Sequence, residues 1–141
     1  MAYDLQDKLV VAISSRALFN LEHENQIFET EGIEALLSLN DKFDYPIVEV
    51  IILSSNSPET GLRVFNSIAE YKLDIVRAAF TGGEDKLPYL SAFNIDLFLS
   101  RNEHDVQYAI DNGVAAALVY DVPRDYQPNQ KEIRIAFDAD A

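Results

Sequence analysis

Six short apolar runs, each rich in β-branched residues and each followed by small or polar residues, recur along the chain: KLVVAIS (8–14), VEVIILS (48–54), LDIVRAAF (73–80), IDLFLS (95–100), VAAALVY (114–120) and EIRIAF (132–137). Their apolarity is continuous rather than alternating, which suits strands covered on both faces, as in a parallel sheet. Segments with helical spacing separate them. SPETGLRVFNSIAEY offers Ser57 as an N-cap, Pro58 at the first helical position, and Leu62, Phe65, Ile68 and Ala69 on one apolar face. NEHDVQYAIDNG starts at Asn102, presents Val106, Ala109 and Ile110 to a core, and ends at Gly113, where a left-handed backbone costs little. Strands alternating with helices predict an α/β fold: a doubly wound, mostly parallel sheet in a three-layer sandwich, with right-handed crossovers and ligands at the carboxyl ends of the strands.

Two segments depart from this alternation. Residues 20–40 form a longer insertion with Ile27, Phe28, Ile33, Leu36 and Leu37 as its apolar members, expected to be helical and to serve either as a lid over a phosphate site or as packing onto the core. DVPRDYQPNQK (121–131) holds two prolines among polar groups and is expected to be a surface connection.

With 141 residues the chain has the length of one domain. A chain of that size buries close to 70% of the surface its unfolded form exposes. It has no cysteine, which excludes disulfides and thiolate metal sites. The start MAYDLQDKLVVA lacks the pattern of a secretion signal, and no apolar run approaches the roughly 20 residues of a membrane span. A cytoplasmic protein is expected. Eleven basic against 24 acidic residues give a net charge of -13, which disfavours nucleic acid and anionic membranes as partners. A phosphorylated small molecule can still bind where backbone N–H groups, a lysine or a metal create a local positive site.

In a parallel sheet the polar tips ISSR, LSSNS, FTGGEDK, FLSRN and FDADA would converge on one edge. Ser54, Ser55 and Asn56, beside open N–H groups at the start of the Ser57 helix, are candidates to hold a phosphoryl oxygen, and a plain helix-capping turn is the other reading. Lys86, beyond the Gly82-Gly83 turn, is a candidate phosphate ligand or a solvated lysine. Ser100, Arg101 and Asn102 serve equally as an anion site or as a loop and cap. His23 and His104 lie in charged helical contexts and read as surface residues, whereas Tyr89, Phe93 and Tyr108 read as packing. Asp138 and Asp140, one residue apart on an extended run, point to the same side. Such a pair can share Mg²⁺, one carboxylate attacking phosphorus and the other exchanging a proton with the leaving oxygen; a solvated acidic tail is the alternative.

The stretches AISSRALFNLEHENQIFETEG, ILSSNSPETGLRVFNSIAEYKLDIVRAAFTGGED, AFNIDLFLSRNEHDVQYAIDNGVAAALV and IRIAFDADA together resemble the amino-terminal half of the cytosolic 5′-nucleotidases of the AMP- and IMP-cleaving type, within the haloacid dehalogenase superfamily. The resemblance implies a haloacid-dehalogenase-like Rossmannoid fold and Mg²⁺-dependent dephosphorylation of nucleoside 5′-monophosphates. By resemblance Asp138 is the nucleophile that forms an aspartyl-phosphate, Asp140 the general acid and base, and both ligate the metal. Residues 1–120 resemble a degenerate copy of the same unit: Ile13 stands at the nucleophile position, Ser15 at that of the acid, and Ser100 and Arg101 where acidic metal ligands are expected. Ser54 and Lys86 fit the hydroxyl and lysine motifs. Residues 121–131 then connect this unit to a terminal strand, 132–141, that resembles the start of a catalytic unit whose remainder is missing. The partner expected is a nucleoside monophosphate or another phosphorylated small molecule, with a homo-oligomer left open. The competing expectation is a catalytically inert pseudo-enzyme that binds a nucleotide or anion or acts as a regulatory unit.

Overall fold

The computed structural model describes residues 7–20, 26–27, 30–121 and 136. Five strands build one parallel sheet: β1 (Leu9–Ile13), β4 (Val48–Ser54), β5 (Arg77–Phe80), β6 (Leu97–Ser100) and β7 (Ala116–Leu118), in the spatial order β5-β4-β1-β6-β7. The chain runs outward from β1 to β4 and β5, crosses back over β1, and continues to β6 and β7. That is the doubly wound order expected from the sequence. The terminal run at 132–137 lies outside the described residues apart from Ala136, as does the 121–131 connection apart from Asp121.

Both faces of the sheet are covered. On one face Ile13 of β1 and Val48, Val50 and Ile52 of β4 pack with Ile33 of helix α2 (Thr30–Ser38) and with Val64 and Ile68 of helix α3 (Pro58–Glu70). On the other, Val10, Ala12, Ile51, Leu53 and Phe98 pack with Leu90 of helix α4 (Leu87–Ala92) and Ala109 of helix α5 (Glu103–Asp111). Alternate side chains of β4 thus enter opposite cores, which is why its sequence does not alternate apolar with polar. Fully burying one such Val, Ile or Leu contributes about 1.5–3 kcal/mol. The exception on β4 is Glu49, buried near the amino end, where the Arg77 guanidinium (Nε at 2.6 Å) and the Lys8 ammonium at 3.7 Å neutralise it. A carboxylate removed from water without such partners would be strongly destabilising.

Helix α1 (Ser15–Leu18) follows β1, and a short antiparallel pair, β2 (Phe19–Asn20) with β3 (Gln26–Ile27), precedes α2 and a 3-10 turn at Leu39–Lys42. Ile33, Leu36 and Leu37 pack on the core, so the packing reading holds for these residues, while Phe28 lies outside those described. Asn40 anchors the segment that leads into β4: its Oδ1 accepts from the Ile47 and Val48 amides and its Nδ2 donates to the Val48 carbonyl.

Three expectations need correction. The buried stripe of α3 is Gly61, Val64 and Ile68, whereas Leu62, Phe65 and Ala69 are exposed. The reason is the close seat of Gly61 on the Phe80 ring, 2.9 Å from where a Cβ would stand, which rotates the small residue inward and the bulky ones out. On α5, Val106 and Ala109 are buried but Ile110 is 47% exposed, since the contact stripe is narrower than the apolar pattern. The third strand is shorter than expected: Leu73 and Ile75 are buried in the turn after α3, closed by the Leu73 amide donating to the Ile68 carbonyl, and pairing begins only at Arg77.

Candidate functional site

Because the sheet is parallel, its strands end on one rim. There Ser14 and Ser15 follow β1, Ser54 to Asn56 close β4, Thr81 to Lys86 follow β5, and Ser100 to Asn102 close β6. The chain leaves β4 and β6 in opposite directions around β1, so the crevice of a doubly wound sheet opens at this rim.

A buried hydroxyl pair occupies its centre. Ser15 Oγ and Ser54 Oγ lie 2.7 Å apart, both residues 3% exposed or less. Asn56 binds both: its Nδ2 donates to Ser15 Oγ at 2.9 Å and its backbone amide donates to Ser54 Oγ at 3.2 Å. Each hydroxyl has one proton, and the contact between the two serines uses only one of them. Whichever serine donates, these bonds leave the other hydroxyl proton undirected. The exit turn of β5 is tied to the same place, the Thr81 amide donating to the Ser54 carbonyl and the Gly82 amide to the Asn56 carbonyl. Gly82 and Gly83 both have positive φ, 61° and 94°, a backbone that any side chain would strain. The Thr81 hydroxyl is also buried and has no hydrogen-bond partner among the described residues.

Helices α3 and α5, which both begin at this rim, differ at their first turns. Ser57 holds the N-cap position of α3 with extended backbone (φ -72°, ψ 159°), yet its side chain caps no amide. Asn102 caps α5 fully, its Oδ1 accepting from the His104 and Asp105 amides at 2.9 and 3.2 Å. The orphan amides of α3 therefore have no side-chain acceptor among the described residues.

The other sequence candidates fall into place around this centre. Ile13, at the position where the resemblance expects a nucleophile, is fully buried in the core. Ser55 turns away from Ser54 and lines a cavity of about 280 Å³ beneath the 82–86 turn. Lys86 lines the same cavity, and its ammonium binds the Asp105 carboxylate at 2.8 Å. Ser100 Oγ accepts from the Asn102 amide, and Arg101 donates to Asp121 at 2.6 Å. His104 and Tyr108 stack along α5 with rings 8° from parallel, and both border the cavity. The Tyr108 phenol donates to Asp85 at 3.3 Å; desolvation first, then the Asp85 charge and this bond, hold its pKa above the ordinary value of 10.0.

Asp105 and Tyr108 were not singled out by sequence reasoning as site residues. The i, i+3 step between them on a helix that starts at a strand end was the available signal. Asp138, Asp140 and His23 lie outside the described residues. Among the described residues no group of three His, Cys, Asp or Glu side chains could hold a metal ion, and no helix is long and apolar enough to cross a membrane. The described rim therefore does not fit Mg²⁺.

Comparison with known proteins gives a consistent answer. A family model described as 5'-nucleotidase matches residues 1–36 and 31–141. The chain is 30% identical to human (Homo sapiens) cytosolic 5'-nucleotidase 1B over 166 aligned positions that take in 96% of the chain and 27% of that protein. The chain thus spans about a quarter of the length of this curated relative, 27%. No solved structure matches it significantly.

Proposed function

Because the chain belongs to the 5′-nucleotidase family, we propose that its rim holds the phosphoryl group of a nucleoside 5′-monophosphate undergoing dephosphorylation in the cytoplasm. Ser15, Ser54 and Asn56 form the cradle, with the uncapped first turn of α3 supplying backbone N–H groups. The observation that carries this reading is the buried serine pair with a hydroxyl proton its described bonds leave undirected, next to a helix start that Ser57 does not cap. Donors of this kind, held in a site shielded from water, stabilise phosphoryl oxygens without reorganising.

The chemical step is assigned to Asp138 and Asp140, in keeping with the resemblance. The Asp138 carboxylate attacks phosphorus and forms an aspartyl-phosphate as the bond from phosphorus to the ribose 5′-oxygen breaks. Asp140 gives its proton to that leaving oxygen. Water then attacks the aspartyl-phosphate with Asp140 as base, releasing inorganic phosphate and restoring the Asp138 carboxylate. Mg²⁺, if used, belongs with these two carboxylates, where it would neutralise phosphoryl charge. Residues 1–120 contribute binding and no nucleophile, since Ile13 offers no group that can attack.

Two measurements on the 141-residue chain test the two halves of this reading. Inorganic phosphate should stabilise the wild type by RT ln(1 + [L]/Kd), about 2.7 kcal/mol at a hundredfold excess over Kd, and so raise its melting temperature. Ser54→Ala should lose most of that response; an unchanged response would remove the cradle. Phosphate release from a nucleoside monophosphate should fall at least about a thousandfold in Asp138→Asn; undiminished release would refute the nucleophile. Stabilisation by nucleotide without any turnover would leave the inert nucleotide-binding reading.

A further inference from the structure

Strands β5 and β7 form the two edges of the sheet, and β5 is the longer, running from Arg77 to Phe80. The Thr81 amide donates to the Ser54 carbonyl, so by the alternation of a parallel ladder the backbone groups of Arg77 and Ala79 also turn toward β4, while those of Ala78 and Phe80 turn outward. Among the described residues nothing pairs with these outward groups. Edge strands usually carry a device against further pairing, such as a proline, a bulge or a projecting charge. β5 has none of these. Its register with β4 is unbroken, it contains no proline, and its one charged side chain, Arg77, binds the buried Glu49.

The helix flank above this edge is apolar as well. Phe65 of α3 meets the Phe80 ring edge-on, with centroids 5.9 Å apart, whereas Tyr71 at the end of the helix stacks with Phe19, which lies toward β1, at 6.3 Å. The flank that carries Phe65 thus faces the outer edge of the sheet, and Leu62 and Ala69 share it by helical spacing. Leu62 is 69% exposed and Phe65 42%, and Val76, just before β5, is 57% exposed. The strip formed by Leu62, Phe65, Ala69, Val76, Ala78 and Phe80 carries no charge, in a chain whose net charge is -13. It is therefore a part of the surface where two copies can approach without local repulsion.

We propose that a second copy of this chain covers the strip, the two β5 strands pairing antiparallel about a two-fold axis at Ala78. The strand is self-complementary in that register: the two Ala78 residues exchange both of their backbone bonds, and Phe80 of each copy stands opposite Val76 of the other. No like charges meet, since Arg77 stands opposite Ala79 of the second copy. Paired strands lie about 4.8 Å apart and α3 rests over β4 and β5, so the same axis brings the two α3 helices to about 10 Å, a distance at which helices pack. Leu62 and Phe65 then lie between the helices, which accounts for the apolar residues of α3 that the core of one chain leaves outside. The contact uses the edge of the sheet and none of the rim hydroxyls, so it stands or falls independently of the serine cradle.

Sedimentation velocity of the 141-residue chain tests this. One strand edge and one helix flank per copy make a small interface, so the wild type should pass from monomer to dimer with a dissociation constant on the order of 1–100 µM. Leu62→Glu places a carboxylate from each copy near the axis and should raise that constant about tenfold or more, without shifting the urea midpoint of the monomer, because Leu62 is largely exposed. Ala78→Pro deletes an outward amide at a position where an edge strand tolerates proline, and it should weaken the dimer to a similar extent, about tenfold. Ala117→Glu, on the exposed face of β7 at the opposite edge, should leave the dimer intact. A wild type that stays monomeric at several hundred micromolar, on the order of the weakest specific contacts, overturns the proposal. So does a dimer that Leu62→Glu leaves unaltered, or one lost only in Ala117→Glu, which would put the contact on β7. Should Ala78→Pro fail to fold, Leu62→Glu decides alone.

Discussion

The starts of α3 and α5 lie on the same rim, follow strands of the same sheet and carry polar N-cap residues, yet one is left open and the other is sealed. At α5, Asn102 satisfies two amides, and the Asp105 side chain in the first turn binds Lys86 across the cavity. At α3, Ser57 stands in cap geometry without capping, its hydroxyl reaching only Thr60 Oγ1 at 3.5 Å, beside the buried Ser15–Ser54 pair. Stability alone would favour closing both, since a side-chain cap is worth about 1 kcal/mol. Under the proposed function, the difference separates a helix start that organises the fold from one that leaves its donors for a ligand.

The largest expected effect that sharpens this contrast is at Lys86. Its side chain is 11% exposed and that of Asp105 24%, so removing one partner leaves the other charge largely desolvated. Lys86→Met should destabilise the fold by about 2 kcal/mol, between the values for exposed and buried pairs. Urea denaturation checks it, and pairing it with Asp105→Asn in a double-mutant cycle isolates the coupling. A loss below half a kilocalorie would mean that the α5 side is not held by this pair.

Next in size, Asn102→Ala should cost about 1 kcal/mol, whereas Ser57→Ala should cost no more than a few tenths. Equal losses in urea denaturation would show that Ser57 caps in solution and that the two starts are alike. A smaller effect concerns charge: Glu59 lies in the first turn of α3, where it competes with an incoming anion for the positive end of the helix. Glu59→Gln should tighten inorganic phosphate by about two- to fivefold, as an exposed charge near a helix end is worth 0.3–1 kcal/mol, about two- to fivefold in affinity. Unaltered phosphate affinity would place the anion away from α3.

The contrast between the two starts was only partly legible in the sequence. The VEVIILS run gave β4 its observed limits, and Asn102 and Gly113 marked the ends of α5, because β-branched continuity and cap chemistry are local properties. The parallel order and its common rim followed from the alternation of strands with helices. Whether a cap side chain turns inward is decided by neighbours far along the chain. Ser15 and Asn56 are 41 positions apart and Lys86 and Asp105 are 19 apart, and neither pair fits within the window of about 11–18 residues over which periodicity is read. The same reasoning explains α3, where Leu62 and Phe65 read as core by pattern but are displaced by the Gly61–Phe80 contact. Tyr108 read as packing because the cavity it borders exists only once the 82–86 turn closes over α5.

The smallest effect reports the field on the sealed side directly. Desolvation and the Asp85 carboxylate both favour the neutral phenol, so Tyr108 should ionise above 10.0 in the folded chain. A folded pKa above the unfolded value means that this contribution to stability is fully present below pH 10.0 and is lost as the pH rises through the folded pKa. The difference in phenolate absorbance between wild type and Tyr108→Phe isolates this residue from the other tyrosines. Asp85→Asn should lower the midpoint, and only part of the way, because desolvation, the larger cause, remains. A midpoint at or below the ordinary value would mean that the carboxylates do not dominate the cavity. The contrast in polarity between the serine pair and the cavity beneath the 82–86 turn would then be lost.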